Sequence, residues 1–350
     1  MYKFNKIKAV GIMSGTSLDG LDIAICEFWF NKKWKYKIIR AKTLNYEKNI
    51  LKSLQTAKDL PAIDLLNLHN SYGEYIGKKV IEFLNGYKVD LIASHGHTIF
   101  HQPQNKITFQ LGNGINIAKE TNITTIADFR TLDVALGGQG APLVPIGDKL
   151  LFADYKYCLN IGGFSNISEK KDNNKIIAYD ICPVNIVLNY YAQKTGKKFD
   201  LNGKLGKNGK ANTKLINDLD NLDYYKQKSP KSLGREWVEK YFFPTVEKYN
   251  LSYNDKMASI YHHIANQISK SIKYQGKLLI TGGGAKNTFL IDLLKNKLKH
   301  IDIIIPNKKL IDFKEAMIFA FLGVLKINNK INVLSEVTGA KKDSISGIIF

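Results

Sequence analysis

Two separate parts of the sequence share the pattern of an apolar strand, a turn of small residues and a second strand. The first covers residues 7–13, a turn rich in Gly, Ser, Thr and Asp, and residues 21–30. The second covers residues 157–161, the Gly162-Gly163 turn and residues 165–168. Apolar runs bounded by such turn residues are typical of β-hairpins. Because both halves open in the same way, the sequence predicts a duplicated domain with a cleft between the copies.

The segments after each hairpin alternate between helical and strand patterns, which is typical of the α/β class. In the first half we expect a third strand at 34–44, helices at 65–84 and 115–120, and strands at 89–94, 108–111 and 123–127. In the second half we expect strands at 176–179, 277–281 and 301–305, helices at 184–194, 258–274, 288–298 and 313–325, and a mobile loop at 202–213. We expect one domain at 1–127, with the tail 332–350 packing back on it, and another at 128–331.

The composition is that of a globular protein that needs no membrane. The chain has 350 residues, 44% hydrophobic and 23% charged, which is enough for two cores. No stretch approaches the roughly 20 apolar residues of a membrane-spanning helix, and the N-terminus leads into a strand pattern without a signal-peptide core. We therefore expect a cytoplasmic protein. Cys26, Cys158 and Cys182 form no CxxC pair and are expected to be buried, reduced thiols.

The net charge of +20 invites a nucleic-acid or membrane-surface interpretation, but its distribution argues against both. The lysines are scattered among Asn and Ile instead of forming one basic block, so we expect no nucleic-acid partner. Only Arg40, Arg130 and Arg235 are arginines. Where Lys serves at nearly every basic position, a remaining Arg is a candidate for a role that needs its planar, bidentate fork. Arg130 and Arg235 are therefore candidate site residues.

The turn between the first two strands carries residue types that bind phosphate. It reads Gly11-Ile-Met-Ser-Gly-Thr-Ser-Leu-Asp-Gly-Leu-Asp22, and its three glycines permit positive φ and close approach of backbone N–H groups to an anion. Asp19 or Asp22 could hold Mg²⁺ directly or through water. The alternative is a Gly-rich turn whose polar side chains satisfy only their own backbone, and composition does not separate the two. A Walker A loop is excluded, because the turn has no Lys and leads into a strand.

Three histidines, His95, His97 and His101, lie at short spacing that also occurs in zinc sites. No Cys accompanies them. We favour the interpretation that they are hydrogen-bonding groups at a ligand site.

The sequence resembles the anhydro-N-acetylmuramic acid kinase family through motifs along almost its whole length. The opening turn, Met13-Ser-Gly-Thr-Ser-Leu-Asp-Gly-Leu-Asp22, is similar to that family's phosphate-binding turn. Further motifs follow in the same order: Ser94-His-Gly-His-Thr98 with His101 and Pro103, Gln110-Leu-Gly-Asn113, Ala127-Asp-Phe-Arg130, Asp133-Val-Ala, Gly137-Gly-Gln-Gly-Ala-Pro-Leu-Val-Pro145, Asn160-Ile-Gly-Gly-Phe-Ser-Asn166, Gly282-Gly-Gly-Ala285, Glu315-Ala316 and Val337-Thr-Gly-Ala340. The segment Ser229-Pro-Lys-Ser-Leu-Gly-Arg-Glu236 is similar to another family motif.

This resemblance implies a fold and a reaction. The fold is two duplicated actin-like (ribonuclease H-like) domains that bind ATP in the cleft between them. The reaction, with ATP and Mg²⁺, hydrolytically opens the 1,6-anhydro bridge of anhydro-N-acetylmuramic acid and phosphorylates O6, as a step of peptidoglycan recycling. ATP and its phosphates are expected to contact Gly15, Thr16, Ser17, Leu18, Asp19, Gly20, Leu21, Asp22, Gly162, Gly163, Gly282, Gly283 and Gly284.

The resemblance also implies the residues that act on the sugar. His97, Arg130, Asn185 and Glu315 are expected to contact it, and an Arg fork suits the lactyl carboxylate of a muramic acid. Asp180 corresponds to the carboxylate that deprotonates the attacking water. It follows an apolar strand and precedes a helix that Pro183 would start, so the alternative role is that of a helix N-cap.

The chain departs from the family pattern at two places. The family typically has Asp-Thr-Gly-Pro-Gly-Asn where this chain has Asp180-Ile-Cys-Pro-Val-Asn185, and Gln where it has His97. Two other functions stay open: a kinase of another anhydrosugar such as levoglucosan, which lacks the lactyl group, and a nucleotide-binding sensor with impaired catalysis. The sequence also leaves a homodimer open.

Overall fold

The computed structural model describes residues 6–229 and 231–350, and the chain forms two compact units. The first unit comprises the chain up to Phe152 together with Phe313–Phe350, and the second comprises Ala153–Asp312. Two parts of the sequence discussed above lie outside the described residues. They are the N-terminal residues 1–5, where no signal peptide was expected, and Pro230 of the motif at 229–236. In the part that the structure describes, no helix is long and apolar enough to cross a membrane.

Twelve strands are found among the described residues. They are β1 (Ile7–Ser14), β2 (Leu21–Asn31), β3 (Lys33–Leu44), β4 (Leu91–Gln102), β5 (Ile107–Leu111), β6 (Thr125–Ala127), β7 (Tyr157–Ile161), β8 (Phe164–Lys170), β9 (Ile176–Pro183), β10 (Gly276–Thr281), β11 (Ile301–Ile304) and β12 (Ile348–Ile349). The helices are α1 (Lys48–Thr56), α2 (Ala62–Leu84), α3 (Gly114–Thr121), α4 (Thr131–Ala135), α5 (Pro145–Leu150), α6 (Asn185–Lys194), α7 (Lys204–Lys207), α8 (Thr213–Asp220), α9 (Arg235–Trp237), α10 (Phe243–Glu247), α11 (Tyr253–Ser271), α12 (Thr288–Lys297), α13 (Lys308–Ile327) and α14 (Ser335–Thr338).

The two units repeat one sheet topology. In the first unit β1, β2 and β3 form an antiparallel meander, and β1 pairs in parallel with β4, which pairs in parallel with β6. In the second unit β7, β8 and β9 form the meander, and β7 pairs in parallel with β10, which pairs in parallel with β11. The order β3-β2-β1-β4-β6 therefore recurs as β9-β8-β7-β10-β11. This repetition confirms the α/β class and the duplication that the two hairpins predicted.

The first unit ends at different residues from those expected. We expected boundaries after residues 127 and 331, but 128–152 and 313–331 also belong to this unit. The reason is that α13 packs directly on the first sheet. A β-carbon at Gly11 of β1 would overlap the carbonyl oxygen of Ala316, and one at Gly323 would lie 2.8 Å from the β-carbon of Ala93 in β4. The tail does return to this sheet, where Ile348 and Ile349 pair with β6.

The expectation of a mobile loop at 202–213 is wrong, because this segment is folded. It contains α7 and the start of α8. The buried carboxylate of Asp200 accepts hydrogen bonds from the backbone N–H groups of Leu205, at 2.8 Å, and Gly206, at 3.1 Å, and from the hydroxyl of Tyr261 at 3.1 Å. The Gly, Lys and Asn residues of the segment are typical of a loop. Its conformation is nevertheless determined by the hydrogen bonds that the buried Asp200 carboxylate accepts.

Candidate active site

The turn predicted to bind phosphate connects the end of β1 to the start of β2. Its first residues are closed by a hydrogen bond from the N–H of Leu18 to the carbonyl of Gly15, at 3.1 Å. Gly11, Gly15 and Gly20 all permit positive φ, but only Gly20 adopts it, at 145°, and Leu18 has a φ of 59° without being Gly. The nearest atom to a β-carbon built at Gly15 is Ser17 Oγ, at 3.6 Å. The backbone at Gly15 is therefore open to close approach, although its conformation does not require Gly.

A buried hydroxyl network lies behind this turn. Ser14 Oγ lies 2.7 Å from the hydroxyl of Tyr46, 2.9 Å from that of Tyr72 and 3.0 Å from Nδ1 of His97. Ser14 is 1% exposed and His97 is 4% exposed. Burial lowers the pKa of His97, so its imidazole is neutral near pH 7. Neither tyrosine was predictable from the sequence, because only the fold brings them to Ser14 and no local motif marks them.

Arg130 and His95 form a second polar contact in the first unit. Nε and Nη2 of Arg130 lie 3.0 Å and 2.8 Å from Nε2 of His95, and Nη1 donates to the carbonyl of Gly140 at 2.5 Å. Burial lowers the pKa of Arg130 to about 10, although Glu315 and Asp133 oppose the shift. Burial and the charge of Arg130 hold the pKa of His95 well below its usual value. A charged guanidinium is thus oriented by a neutral imidazole.

The acids near Arg130 in the sequence have other partners. Asp128 accepts the N–H of Thr131 at 3.1 Å, and Asp133 accepts the N–H of Gly140 at 2.8 Å and the hydroxyl of Thr338 at 2.7 Å. Within the described residues, no carboxylate lies within ion-pair distance of Arg130. The arrangement therefore leaves its positive charge for a ligand.

Glu315 is close enough to both Asp22 and Arg130 to interact with them electrostatically. Loss of solvation raises the pKa of Glu315, and the charge of Asp22 raises it further, while Lys314 and Arg130 lower it. Asp22 Oδ1 accepts the hydroxyl of Thr43 at 2.5 Å. The first unit thus brings three predicted site residues together. Arg235 belongs to the second unit, where it is exposed and pairs with Glu239 at 2.8 Å.

In the second unit three predicted segments converge. The carbonyl of Gly163 accepts the N–H of Val184 at 2.8 Å, and that of Gly162 accepts the N–H of Asn185 at 3.2 Å. A β-carbon built at Gly283 would lie 3.7 Å from Nδ2 of Asn185, and no described atom lies within 4 Å of one built at Gly163. The Gly162-Gly163 turn, the start of α6 and the turn after β10 therefore border one region with accessible backbone.

The glycines on either side of Gly283 have packing roles. Gly282 has a φ of 81°, and its β-carbon would lie 2.5 Å from Asn160 Oδ1. A β-carbon at Gly284 would collide with the side chain of Ile161. Gly282 and Gly284 therefore allow the turn after β10 to pack directly on the end of β7. This packing places Gly283 beside the Gly162-Gly163 turn and the start of α6.

Asp180 lies in β9, one of the two edge strands of the second sheet. Its N–H donates to the carbonyl of Lys231 at 3.1 Å, its carbonyl accepts the hydroxyl of Tyr224 at 2.6 Å, and its Oδ2 accepts the N–H of Leu233 at 2.9 Å. Burial raises the pKa of this carboxyl, and the Leu233 N–H opposes the shift. Among the described residues, no hydrogen bond reaches Oδ1. One oxygen is fixed and the other is available to a water molecule.

The alternative role of Asp180 as a helix N-cap is wrong. The following helix, α6, begins at Asn185 and is preceded by Val184, and Pro183 belongs to β9 instead of starting the helix. Ile181 and Cys182, which replace the Thr and Gly of the family pattern, pack into the core. Their exposed fractions are 2% and 0%. Val184 has a φ of −128°, so no Gly is needed there.

The histidine triplet does not form a metal site. His95 contacts Arg130, His97 contacts Ser14, and Nδ1 of His101 lies 3.1 Å from Oγ1 of Thr108. In residues 6–229 and 231–350 no group of three or more His, Cys, Asp or Glu side chains is placed to hold a metal ion. An Mg²⁺ ion at Asp19 or Asp22 would therefore need ligands from phosphate and water.

The family model and the curated relatives agree on one family, and each match covers almost the whole chain. A family model described as anhydro-N-acetylmuramic acid kinase matches residues 7–350. The anhydro-N-acetylmuramic acid kinase of Clostridioides difficile (strain 630) is 34% identical over 374 aligned positions, which cover 97% of each chain. That of Vibrio vulnificus (strain YJ016) is 32% identical over 363 positions, again with 97% of each chain covered.

Solved structures resemble the chain more distantly. Component A of (R)-2-hydroxyglutaryl-CoA dehydratase from Acidaminococcus fermentans has 13% identity and a TM-score of 0.48, over 93% of this chain and 100% of that one. A ROK family glucokinase from Streptomyces griseus, in complex with glucose and AMPPNP, has 9% identity and a TM-score of 0.43, over 90% of this chain and 98% of that one. Similarity at this level does not bear on function.

Proposed function

The chain belongs to the anhydro-N-acetylmuramic acid kinase family, and we propose that it performs the family's reaction with Asp180 as general base and Arg130 as the group that binds the substrate carboxylate. Its function is that of an ATP-dependent kinase in peptidoglycan recycling. The observation that carries the proposed mechanism is the carboxylate of Asp180. One of its oxygens accepts the Leu233 N–H, the other has no hydrogen-bond partner among the described residues, and burial raises the pKa of the carboxyl above its usual value.

In the proposed reaction, Asp180 takes a proton from a water molecule whose oxygen bonds to C1 of the sugar. The bond between C1 and the bridging oxygen breaks, and that oxygen stays on C6. It then bonds to the γ-phosphorus of ATP while ADP leaves, and Asp180 returns its proton to solvent. A carboxylate fixed through one oxygen is held in the correct orientation before the reaction begins, which lowers the entropic part of the barrier.

Arg130 is proposed to bind the lactyl carboxylate. Its guanidinium is partly desolvated, and the carboxylates whose charges act on it, Glu315 and Asp133, form no direct ion pair with it among the described residues. Such an arrangement favours a carboxylate ligand, because a desolvated charge gains most from a partner. His97 would present Nε2 to the sugar, since its Nδ1 faces Ser14. Glu315 and Asn185 are proposed as further sugar contacts.

The glycine turns are proposed to bind ATP. Gly15 of the first unit and Gly162, Gly163 and Gly283 of the second have backbone that phosphate oxygens can approach. Mg²⁺ is proposed to bind through Asp22 or Asp19 together with phosphate oxygens and water. The charge of Asp22 raises the pKa of Glu315, which fits this proposal because a bound cation would relieve the repulsion between the two carboxylates. Bound Mg²⁺ would supply positive charge to the transferred phosphoryl group.

An assay for ADP release tests this function against the two alternatives. The substrates are anhydro-N-acetylmuramic acid, levoglucosan and no sugar, each with ATP and Mg²⁺. We expect ADP only with the muramic substrate, because Arg130 would have no carboxylate to bind in levoglucosan. A preference for levoglucosan would favour the other anhydrosugar kinase. Binding of ATP without sugar-dependent ADP would favour a sensor. A cytoplasmic location and a homodimer are further proposals, which cell fractionation and sedimentation velocity test.

A further inference from the structure

Asp180 lies where the edge of the second sheet is covered by two other segments. Both its N–H and its carbonyl form hydrogen bonds to residues outside the sheet. The first covering segment is the 3₁₀ turn Asp223–Lys226, and the second is the stretch 231–233. An edge strand presents unpaired backbone groups, so a cover that satisfies them also fixes the strand. We propose that Tyr224 is a positioning residue for Asp180, acting through its hydrogen bond to the Asp180 carbonyl. The inference rests on the proposed role of Asp180 as base.

The hydroxyl of Tyr224 is well placed for this role. It donates to the carbonyl oxygen of Asp180 at 2.6 Å, and the residue is only 4% exposed. Burial raises the pKa of Tyr224, and the charge of Asp180 adds to that effect, so the hydroxyl stays protonated and remains a donor. Together with the bonds from Leu233 and to Lys231, it restrains both backbone groups and one carboxylate oxygen of Asp180.

The two covering segments are also joined to each other. Nζ of Lys231 donates to the carbonyl of Tyr224 at 3.1 Å and lies 4.4 Å from the centre of the Tyr224 ring. A cation over an aromatic face adds a favourable interaction when it is partly desolvated. Tyr224 therefore links the Asp180 backbone to the segment that holds the Asp180 carboxylate, and removing its hydroxyl should loosen the Leu233 bond to Oδ2.

The next residue along the chain provides a matched control. The hydroxyl of Tyr225 lies 3.0 Å from Nε2 of His263, whose Nδ1 lies 2.5 Å from Oδ1 of Asp220. Tyr225 is thus on the same 3₁₀ turn and loses the same atom on replacement by Phe, but its hydroxyl bonds to the core instead of to Asp180. Tyr225→Phe should lower stability without changing the chemistry of Asp180.

The titratable groups around Asp180 do not obscure its titration. They are Cys182 and Tyr179 on its own strand, Tyr224 on the 3₁₀ turn and Lys231 on the second segment. Burial raises the pKa of Cys182 to about 12 and also raises those of both tyrosines, so these groups stay neutral near pH 7. Burial lowers the pKa of Lys231. Among these named groups, Asp180 is the one that titrates as a carboxyl.

The experiment compares Tyr224→Phe, Tyr225→Phe and wild type. We expect Tyr224→Phe to lower kcat about tenfold, the scale of one hydrogen bond of roughly 1.4 kcal/mol, with KM for ATP and sugar unchanged. Because the Leu233 N–H holds the Asp180 pKa down, its loosening should move the acid limb of the kcat profile to higher pH. Tyr225→Phe should lower the melting temperature and keep the pH profile. The proposal would be overturned if Tyr224→Phe had the kcat of wild type and the same pH dependence of kcat on the acid side.

A measurement that needs no activity separates this inference from the proposed function. The Asp180 carboxyl carbon is followed by ¹³C NMR in protein labelled at Asp, and is assigned by its loss in Asp180→Asn. A higher Asp180 pKa in Tyr224→Phe but not in Tyr225→Phe supports the positioning role, even if the enzyme assay fails. An unchanged Asp180 pKa rejects it. An active Asp180→Asn variant, in contrast, rejects the base and leaves the NMR comparison to decide what Tyr224 does.

Discussion

Arg130 directs two nitrogens, Nε and Nη2, at a single atom of His95, the ring nitrogen Nε2, from 3.0 Å and 2.8 Å. Nδ1 of the same ring lies 2.9 Å from the carbonyl oxygen of Gly96, so the proton belongs on Nδ1 and Nε2 is the acceptor. A neutral acceptor fixes the direction of a guanidinium without cancelling its charge. An acidic partner would have fixed it equally well, but would have competed with a carboxylate substrate.

Arg130→Lys is expected to raise KM for the muramic substrate by about tenfold or more and to change KM for ATP much less. An ammonium keeps the charge but loses the planar fork and cannot repeat the two contacts to His95. Steady-state kinetics for both substrates and the melting temperature test this. Equal losses for sugar and ATP, or an unchanged sugar KM, would show that Arg130 holds the loop and does not bind the carboxylate.

Asp180→Asn is expected to lower kcat by a factor on the order of 10²–10⁴ or more while ATP binding stays nearly intact. The amide has the shape of the carboxylate, and its oxygen can still accept the Leu233 N–H, so the local structure should persist. It cannot accept the proton of the attacking water. Single-turnover kinetics and calorimetric ATP binding are the measurements. Retention of more than about a tenth of the wild-type kcat would reject the base assignment.

Gly15→Val is expected to weaken ATP binding without lowering stability. The backbone of Gly15 does not have positive φ, and a β-carbon there would meet only the flexible Ser17 hydroxyl, so the fold should tolerate Val while the side chain blocks phosphate. Gly11→Val is the contrasting variant. Its side chain would overlap the backbone of α13, so this protein should unfold. If folded Gly15→Val protein binds ATP as wild type does, the turn is only structural.

The buried His263 and its half-buried partner Asp220 should make the second unit less stable in acid. Burial alone would raise the pKa of Asp220, but hydrogen bonds from His263, Gln267 and Asn266 bring it below its usual value. Burial lowers the pKa of His263, against the opposing effect of Asp220. Both groups titrate lower in the folded state. The contribution of the neutral His263 is therefore lost as pH falls below the unfolded His pKa of about 6.5, and that of the ionised Asp220 is lost only below the unfolded Asp pKa of about 3.9.

Melting temperatures between pH 7.5 and 4.5 measure this effect. Wild type should lose stability as pH falls through the range, and His263→Gln should show a smaller loss between pH 7.5 and 5.5, because Gln takes up no proton. The Gln variant starts from a lower melting temperature, so the slopes are compared and not the absolute values. A flat wild-type profile would contradict the assignment of a neutral, buried His263.

The sequence predicted the parts of the site that depend on local pattern. The strand Tyr157–Ile161 was placed at its observed bounds, and the glycine turns follow directly from strands and small residues. The partners of Asp180 were not predictable in this way, because Tyr224 and Leu233 are 44 and 53 residues away in the chain. The sequence also could not show which of the two properties of Gly matters at Gly15. The structure shows no positive φ there, and the open space beside the backbone is what distinguishes this position.

The two parts of the first unit lie on either side of the second unit in the chain. During synthesis, β1 to β6 leave the ribosome early but lack α13 and β12, which the first sheet needs to cover its face and complete its edge. The second unit is one uninterrupted segment, so it is complete as soon as residue 312 has emerged. Although it is made later, it is the first unit able to fold fully, and the N-terminal half must wait for the last 38 residues, Phe313–Phe350, with apolar strands exposed. Chaperone dependence in this chain should therefore concentrate on its first half.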